Sequence, residues 1–231
     1  MDKDIKIALI PARGGSKRIP NKNIKHFEGK PIIAHSIEKA FESQLFDRII
    51  VSTDSEKIAI ISQECGAEVP FIRPRNISDD NATLFEVQDH ALKNIGLDSG
   101  YICMILPTAP LLETKFLIEG YEKIKNSKYL HTFSACSMPF TVQRTFMIND
   151  SGTCEMFFPE NFAKKSQDFP EAYQDAGQFY WTSLNIKNKS KNNIMFGSDS
   201  LPIIIPRHIV QDIDTNEDWD RAELIFRTMN S

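Results

Sequence analysis

Ile5-Lys6-Ile7-Ala8-Leu9-Ile10-Pro11-Ala12-Arg13-Gly14-Gly15-Ser16-Lys17-Arg18-Ile19-Pro20-Asn21-Lys22-Asn23-Ile24-Lys25 joins two kinds of chain. Ile5 to Ile10 is a short apolar run stopped by Pro11, and it reads as a buried strand. Beyond it come Arg13, Lys17, Arg18, Lys22 and Lys25, with no acidic residue among them, in a chain whose formal net charge is −4. Gly14 and Gly15 permit dihedrals that let backbone N–H groups approach an anion closely. Arginine adds a fork for two oxygens and lysine a mobile point charge. A loop of this kind at the end of a strand suits a triphosphate, although a solvated lysine-rich surface loop is the plain alternative. The spacing is neither that of a Walker A loop nor that of a dinucleotide-binding Gly-x-Gly-x-x-Gly.

Outward from this stretch, strand and helix patterns alternate. Pro31 suits a first helical turn, and Ile33, Ile37, Ala40 and Phe41 recur behind it at helical spacing. Strands are expected at 48–52, 68–72, 101–106 and 131–137, and helices at 84–95 and 113–125. A further helix, capped by Thr53 or Asp54, should end near Gly66. Such alternation predicts an α/β fold with a mainly parallel sheet and ligands at the carboxyl ends of its strands. Between Met138 and Gln178 the pattern lapses, and the stretch reads as an insertion in an otherwise single domain, 1–231. Strands return at 179–186 and 202–205, and a helix closes the chain over 215–229.

Composition excludes several classes. The negative net charge argues against a general nucleic-acid binder. Met1-Asp2-Lys3-Asp4 is too charged for a signal peptide, and no apolar stretch approaches the ~20 residues of a membrane helix. Cys65, Cys103, Cys136 and Cys154 are too dispersed for a zinc site or disulfide framework, so reduced thiols and a cytoplasmic location are expected. The histidines form no metal-spaced cluster, and a Gly-x-Ser-x-Gly nucleophile elbow is missing.

Near the C-terminus, Gln211-Asp212-Ile213-Asp214-Thr215 places two carboxylates one residue apart. On extended backbone both point the same way, an arrangement that suits Mg²⁺, which takes a few carboxylates and fills its shell with water and phosphate oxygens. The competing reading is a helix cap, since Glu217, Asp218 and Asp220 make an acidic first turn.

The segment Ile10 to Asn23 resembles the N-terminal signature of the acylneuraminate and related CMP-sugar synthetases. The likeness continues in order through Val51-Ser52-Thr53-Asp54, Arg73-Pro74, Pro107-Thr108-Ala109-Pro110 and Asp212-Ile213-Asp214-Thr215. It implies a Rossmann-like nucleotidyltransferase fold with a small dimerisation insertion (138–178), and hence a homodimer. It further implies transfer of CMP from CTP to a nine-carbon acidic sugar. Under this resemblance Arg13, Gly14, Ser16, Lys17, Lys22, Asn23, Arg73 and Thr83 bind CTP. Arg13, Lys22 and Asp214 are the catalytic set, and Asp212 and Asp214 hold Mg²⁺.

The acceptor side departs from the sialic acid members. Leu106 and Leu112 stand where many of those carry Gln and Arg. Asp175-Ala176-Gly177-Gln178-Phe179-Tyr180-Trp181 resembles instead the branch that acts on pseudaminic acid. The acceptor residues so implied are Leu106, Thr108, Gln174, Asp175 and Gln178. Sialic, legionaminic and eight-carbon ketodeoxy acids stay open as acceptors, and a non-catalytic nucleotide sensor stays open as a different class. A sensor would have no need of the paired aspartates.

Overall fold

The computed structural model describes residues 4–125, 127–186 and 195–230. In chain order the strands are β1 (Lys6–Pro11), β2 (His26–Phe27), β3 (Lys30–Pro31), β4 (Arg48–Ser52) and β5 (Tyr101–Ile105), followed by β6 (His131–Ser137), β7 (Phe146–Ile148), β8 (Cys154–Met156), β9 (Tyr173–Ser183) and β10 (Ser200–Ile204). The α-helices are α1 (Ile32–Glu42), α2 (Glu56–Glu64), α3 (Leu84–Ile95), α4 (Thr114–Ile124) and α5 (Asn216–Met229).

Six strands form one sheet in the order β10-β6-β9-β5-β1-β4. β1 lies parallel to both β4 and β5, and β10 is parallel to β6. Only β9 runs against its neighbours β5 and β6. The mainly parallel α/β sheet expected from the alternation is therefore present, with one reversed strand inside it.

The period-two alternation of β1 sorts its side chains between two cores. Ala8 and Ile10 pack with Ile33 and Ile37 of α1 and Phe116 and Leu117 of α4. Ile7 and Leu9 pack on the other face with Ala91 and Leu92 of α3. Helices thus cover both faces, as a buried parallel sheet requires.

Three local expectations change. The strand expected over 68–72 is reduced to two isolated parallel bridges, Ile50 with Glu68 and Thr53 with Ile72. Ser55, not Thr53 or Asp54, caps α2, its hydroxyl accepting the Ile58 N–H. The strand expected from 179 begins at Tyr173, so residues 173–178 of the expected insertion belong to the sheet. Residues 138–172 lie outside that sheet and contain the β7–β8 hairpin and short 3₁₀ turns.

Candidate functional site

The basic loop and the acidic pair lie far apart in sequence, and a small apolar cluster brings them together. Ile19 and Ile213 are both fully buried in it, with Phe27, Ile32, Trp219 and Ala222. Because Ile213 points inward, Asp212 and Asp214 on either side face outward together. Polar contacts fasten the same joint. The Lys22 ammonium donates to the Ile213 carbonyl at 2.6 Å and lies 3.3 Å from Asp214 Oδ1. The Lys25 ammonium sits 4.1 Å from the centroid of the Trp219 ring, a cation–π contact. Lys22 is therefore no exposed loop residue, since only 19% of its side chain is accessible.

Two expected ligand residues brace the loop itself. Buried Asn23 donates from Nδ2 to the Arg13 carbonyl at 2.9 Å. Gly14 was expected to present its N–H to a phosphate, but that N–H donates to Asp54 Oδ1 at 2.8 Å. A Cβ there would meet the Ser55 Cβ at 3.1 Å, so glycine lets the loop lie against the start of α2.

A cleft of about 540 Å³ opens over the carboxyl end of β1. It is lined by Arg13, Ser16, Lys17, Lys22, Asn23 and Arg73, together with Leu106, Thr108 and Asp214. Across it lies the loop 77–82, whose Asp80 accepts from Arg13 and Lys17, each at 2.6 Å. Lys17 and then Arg13 hold the Asp80 carboxyl below its ordinary range. Thr83 does not line the cleft. Its hydroxyl accepts the Glu86 N–H while Glu86 reaches back to the Thr83 N–H, a capping box that starts α3.

Arg73 is the exceptional side chain of this cleft. It is only 4% exposed, and its Nε and Nη2 are buried without a partner. Burial lowers its pKa, with Asp54 opposing that and Arg13 adding to it. Buried polar nitrogens are ordinarily hydrogen-bonded, so this guanidinium keeps two donors unused at the cleft wall, where an anion could receive them.

A second cavity, about 750 Å³, adjoins the first, and Leu106 and Asp214 line both. Gln174, Asp175, Tyr180 and Asp212 line its walls. Each oxygen of the exposed Asp175 carboxylate accepts one hydrogen bond, from the Gly177 N–H at 2.9 Å and the Tyr180 hydroxyl at 2.6 Å. Burial, then the neighbouring carboxylate, pushes the Tyr180 hydroxyl upward, so it stays a donor. Asp214 Oδ1 lies 2.8 Å from Arg18 and 3.3 Å from Lys22. Asp212 keeps contact with solvent on the cavity side, yet surrounding protein and then Asp214 raise its pKa, against the pull of Lys22. Two carboxylates that repel each other at a cavity edge suit a hard cation. Among the described residues no group of three or more His, Cys, Asp or Glu is arranged to hold a metal, so Mg²⁺ here would rely on this pair, water and phosphate oxygens.

The geometry moves three acceptor-side expectations. Thr108 lines the first cleft instead. Gln178 is buried, donating from Nε2 to the Ile209 carbonyl at 3.1 Å, and it does not line the second cavity. Leu112 is buried in the core and opens on a separate recess beside His35 and His208, not on the second cavity.

Sequence reasoning missed Asp80, Tyr180, Arg207 and Arg221, all of which line one cavity or the other. Arg207 had a usable signal, because it follows a strand end where ligands of α/β sheets gather. Arg221 had none beyond its place one turn after Asp218 on α5.

The cytidylyltransferase family matches residues 7–195. The pseudaminic acid cytidylyltransferase of Campylobacter jejuni serotype O:23/36 is 37% identical over 224 residues, covering 96% of each chain. The CMP-N,N'-diacetyllegionaminic acid synthase of Legionella pneumophila is 29% identical, covering 95% of each. A solved CMP:2-keto-3-deoxy-manno-octonic acid synthetase shares the fold, with a TM-score of 0.71 at 14% identity over 97% of this chain and 99% of that one. A basic loop, a buried arginine and an acidic pair, gathered over the carboxyl end of a mainly parallel sheet, thus occur in a chain that belongs to the cytidylyltransferase family.

Proposed function

We propose that this protein transfers CMP from CTP to the anomeric hydroxyl of a nonulosonic acid, pseudaminic acid foremost, and releases pyrophosphate. The observation that carries this reading is the meeting of the two cavities at Asp214 and Leu106. One is ringed by cations and matches a triphosphate. The other has the volume and mixed polar walls of a sugar site. Their shared edge is where the α-phosphorus and the attacking hydroxyl would meet. The 37% full-length likeness to a pseudaminic acid enzyme supports the choice of acceptor.

In the reaction the anomeric oxygen bonds to the α-phosphorus, the bridge to the β-phosphate breaks, and the hydroxyl proton is lost. Arg13 and Arg73 face the phosphates, and Lys22 stands between them and Asp214. Each cation strengthens its contact as charge gathers on the departing pyrophosphate, so positioning and charge stabilisation supply most of the acceleration. Mg²⁺ held by Asp212 and Asp214 would neutralise phosphate charge and acidify the attacking hydroxyl. To hold the ion, Asp214 would have to give up its contacts with Arg18 and Lys22.

A homodimer and a cytoplasmic location belong to the same proposal. Segment 138–172 exposes Phe140 at 80%, Ile148 at 72% and Phe162 at 72%, apolar surface that a second copy would cover. Among the described residues no helix is long and apolar enough to cross a membrane.

Incubation with CTP, Mg²⁺ and each of pseudaminic, legionaminic and N-acetylneuraminic acid tests the reading by pyrophosphate release. Pseudaminic acid should give the highest kcat/KM. Equal or better use of N-acetylneuraminic acid would overturn the acceptor assignment. No pyrophosphate with any acid would leave CTP binding without transfer, as in a sensor.

A further inference from the structure

The second cavity has an unbalanced set of charges. Its carboxylates are mostly engaged: Asp175 by Gly177 and Tyr180, Asp214 by Arg18 and Lys22. Asp218 Oδ2 accepts from the Asp214 and Thr215 N–H groups at 3.1 and 2.8 Å, and its Oδ1 accepts from Gln211 at 3.1 Å. Two guanidiniums line the same cavity, Arg207 just after β10 and Arg221 on α5. Neither forms an ion pair among the described residues, whereas Arg13, Lys17, Arg18 and Lys22 in the adjoining cleft all do. Cations left unpaired among engaged carboxylates are arranged for an anion from outside.

Resting on the acceptor reading above, we infer that Arg207 and Arg221 anchor the acceptor's carboxylate. In a 2-ulosonic acid the carboxylate and the reacting hydroxyl share one carbon. Holding the first therefore fixes the second, and the anchor places the nucleophile as well as binding it. A forked guanidinium suits this better than a lysine, because it grips both carboxylate oxygens in one plane. The anchor also answers an electrostatic need. Without it, an anionic sugar would enter a cavity bordered by Asp175, Asp212, Asp214 and Asp218, where the neighbouring Arg18 and Lys22 are already paired with Asp214.

The test compares Arg207→Met, Arg221→Met and Arg221→Lys with the wild type, using pseudaminic acid and its methyl ester as acceptors. Both arginines are exposed, so melting temperatures should match. The wild type should prefer the acid to the ester by about tenfold or more in kcat/KM. Each Met variant should lose about as much with the acid, little with the ester, and keep its KM for CTP. Arg221→Lys should recover part of the loss. Met variants that retain the wild-type ratio of acid to ester overturn the anchor while leaving the transfer reading intact. A wild type that turns over none of the nonulosonic acids overturns that reading first, and the anchor with it.

Discussion

Replacing Arg73 by Met separates what the guanidinium costs the fold from what it does for the nucleotide. The side chain is 4% exposed, with Nε and Nη2 lacking partners. Unsatisfied buried donors cost ~1–3 kcal/mol, and Met fills similar space without that penalty. The attraction to Asp54 offsets part of the cost, but burial is the larger influence. In a domain of this size ~1 kcal/mol corresponds to roughly 2–4 °C, so the variant should melt about 2–8 °C higher without ligand. The effect on CTP runs the other way. At about one hundred times Kd, CTP should stabilise the wild type by ~2.7 kcal/mol. If losing the charged contacts weakens binding ~10²-fold, the same CTP concentration equals the variant's Kd and contributes only ~0.4 kcal/mol. Differential scanning fluorimetry with and without CTP reads both quantities. A variant that melts earlier than the wild type and keeps its full CTP shift would refute the argument, because Arg73 would then be a satisfied structural residue.

Lys22→Ala should lower turnover by ~10²–10³, and it should also lower the melting temperature by a few degrees, since Nζ joins the basic loop to the Ile213 carbonyl. Unchanged stability would show that the joint does not depend on it. With CTP present, Mg²⁺ should raise the melting temperature of the wild type and not that of Asp212→Asn/Asp214→Asn, and EDTA should stop turnover. Activity surviving both treatments would reduce the pair to a helix cap. His35 is buried, its ring bonded to the Phe27 carbonyl at 2.9 Å, and burial lowers its pKa from the ordinary 6.5. The unfolded chain then binds the proton more readily, so stability should fall as pH drops below about 6.5 toward the folded value. His35→Gln should flatten that part of the curve, and an unaltered profile would assign the acid sensitivity elsewhere. Light scattering at micromolar concentration should report a dimer, with Phe140→Asp/Phe162→Asp monomeric. A monomeric wild type would remove the dimer.

What could be read from the sequence was what local chemistry decides. β1 is legible because an uninterrupted apolar run stopped by proline has few alternatives, and the basic loop because its charge contrasts with an acidic chain. α3 matched its expected 84–95 span, since a capping box at Thr83 and a glycine after Ile95 mark both ends. Strand direction is another matter. The alternation of Phe179, Tyr180 and Trp181 is the same in a parallel or an antiparallel partner, so nothing local reveals that β9 is reversed between β5 and β6. Thr83 is ambiguous for a related reason: a hydroxyl at a helix entrance serves a cap and a ligand equally well in sequence, and the structure shows it capping α3.

The contact between the loop and the acidic pair shows why this site needs the folded chain to be understood. Ile19 and Ile213 look like unremarkable apolar residues inside polar motifs. Each nevertheless determines where the charges beside it point, because burying the isoleucine turns its neighbours toward solvent. Asp212 and Asp214 are a pair only because Ile213 lies between them in the same cluster as Trp219. A polar substitution at Ile213 would therefore disperse the carboxylates and release Lys22 from its carbonyl, and a site usually described by its charges would be lost by removing an apolar side chain.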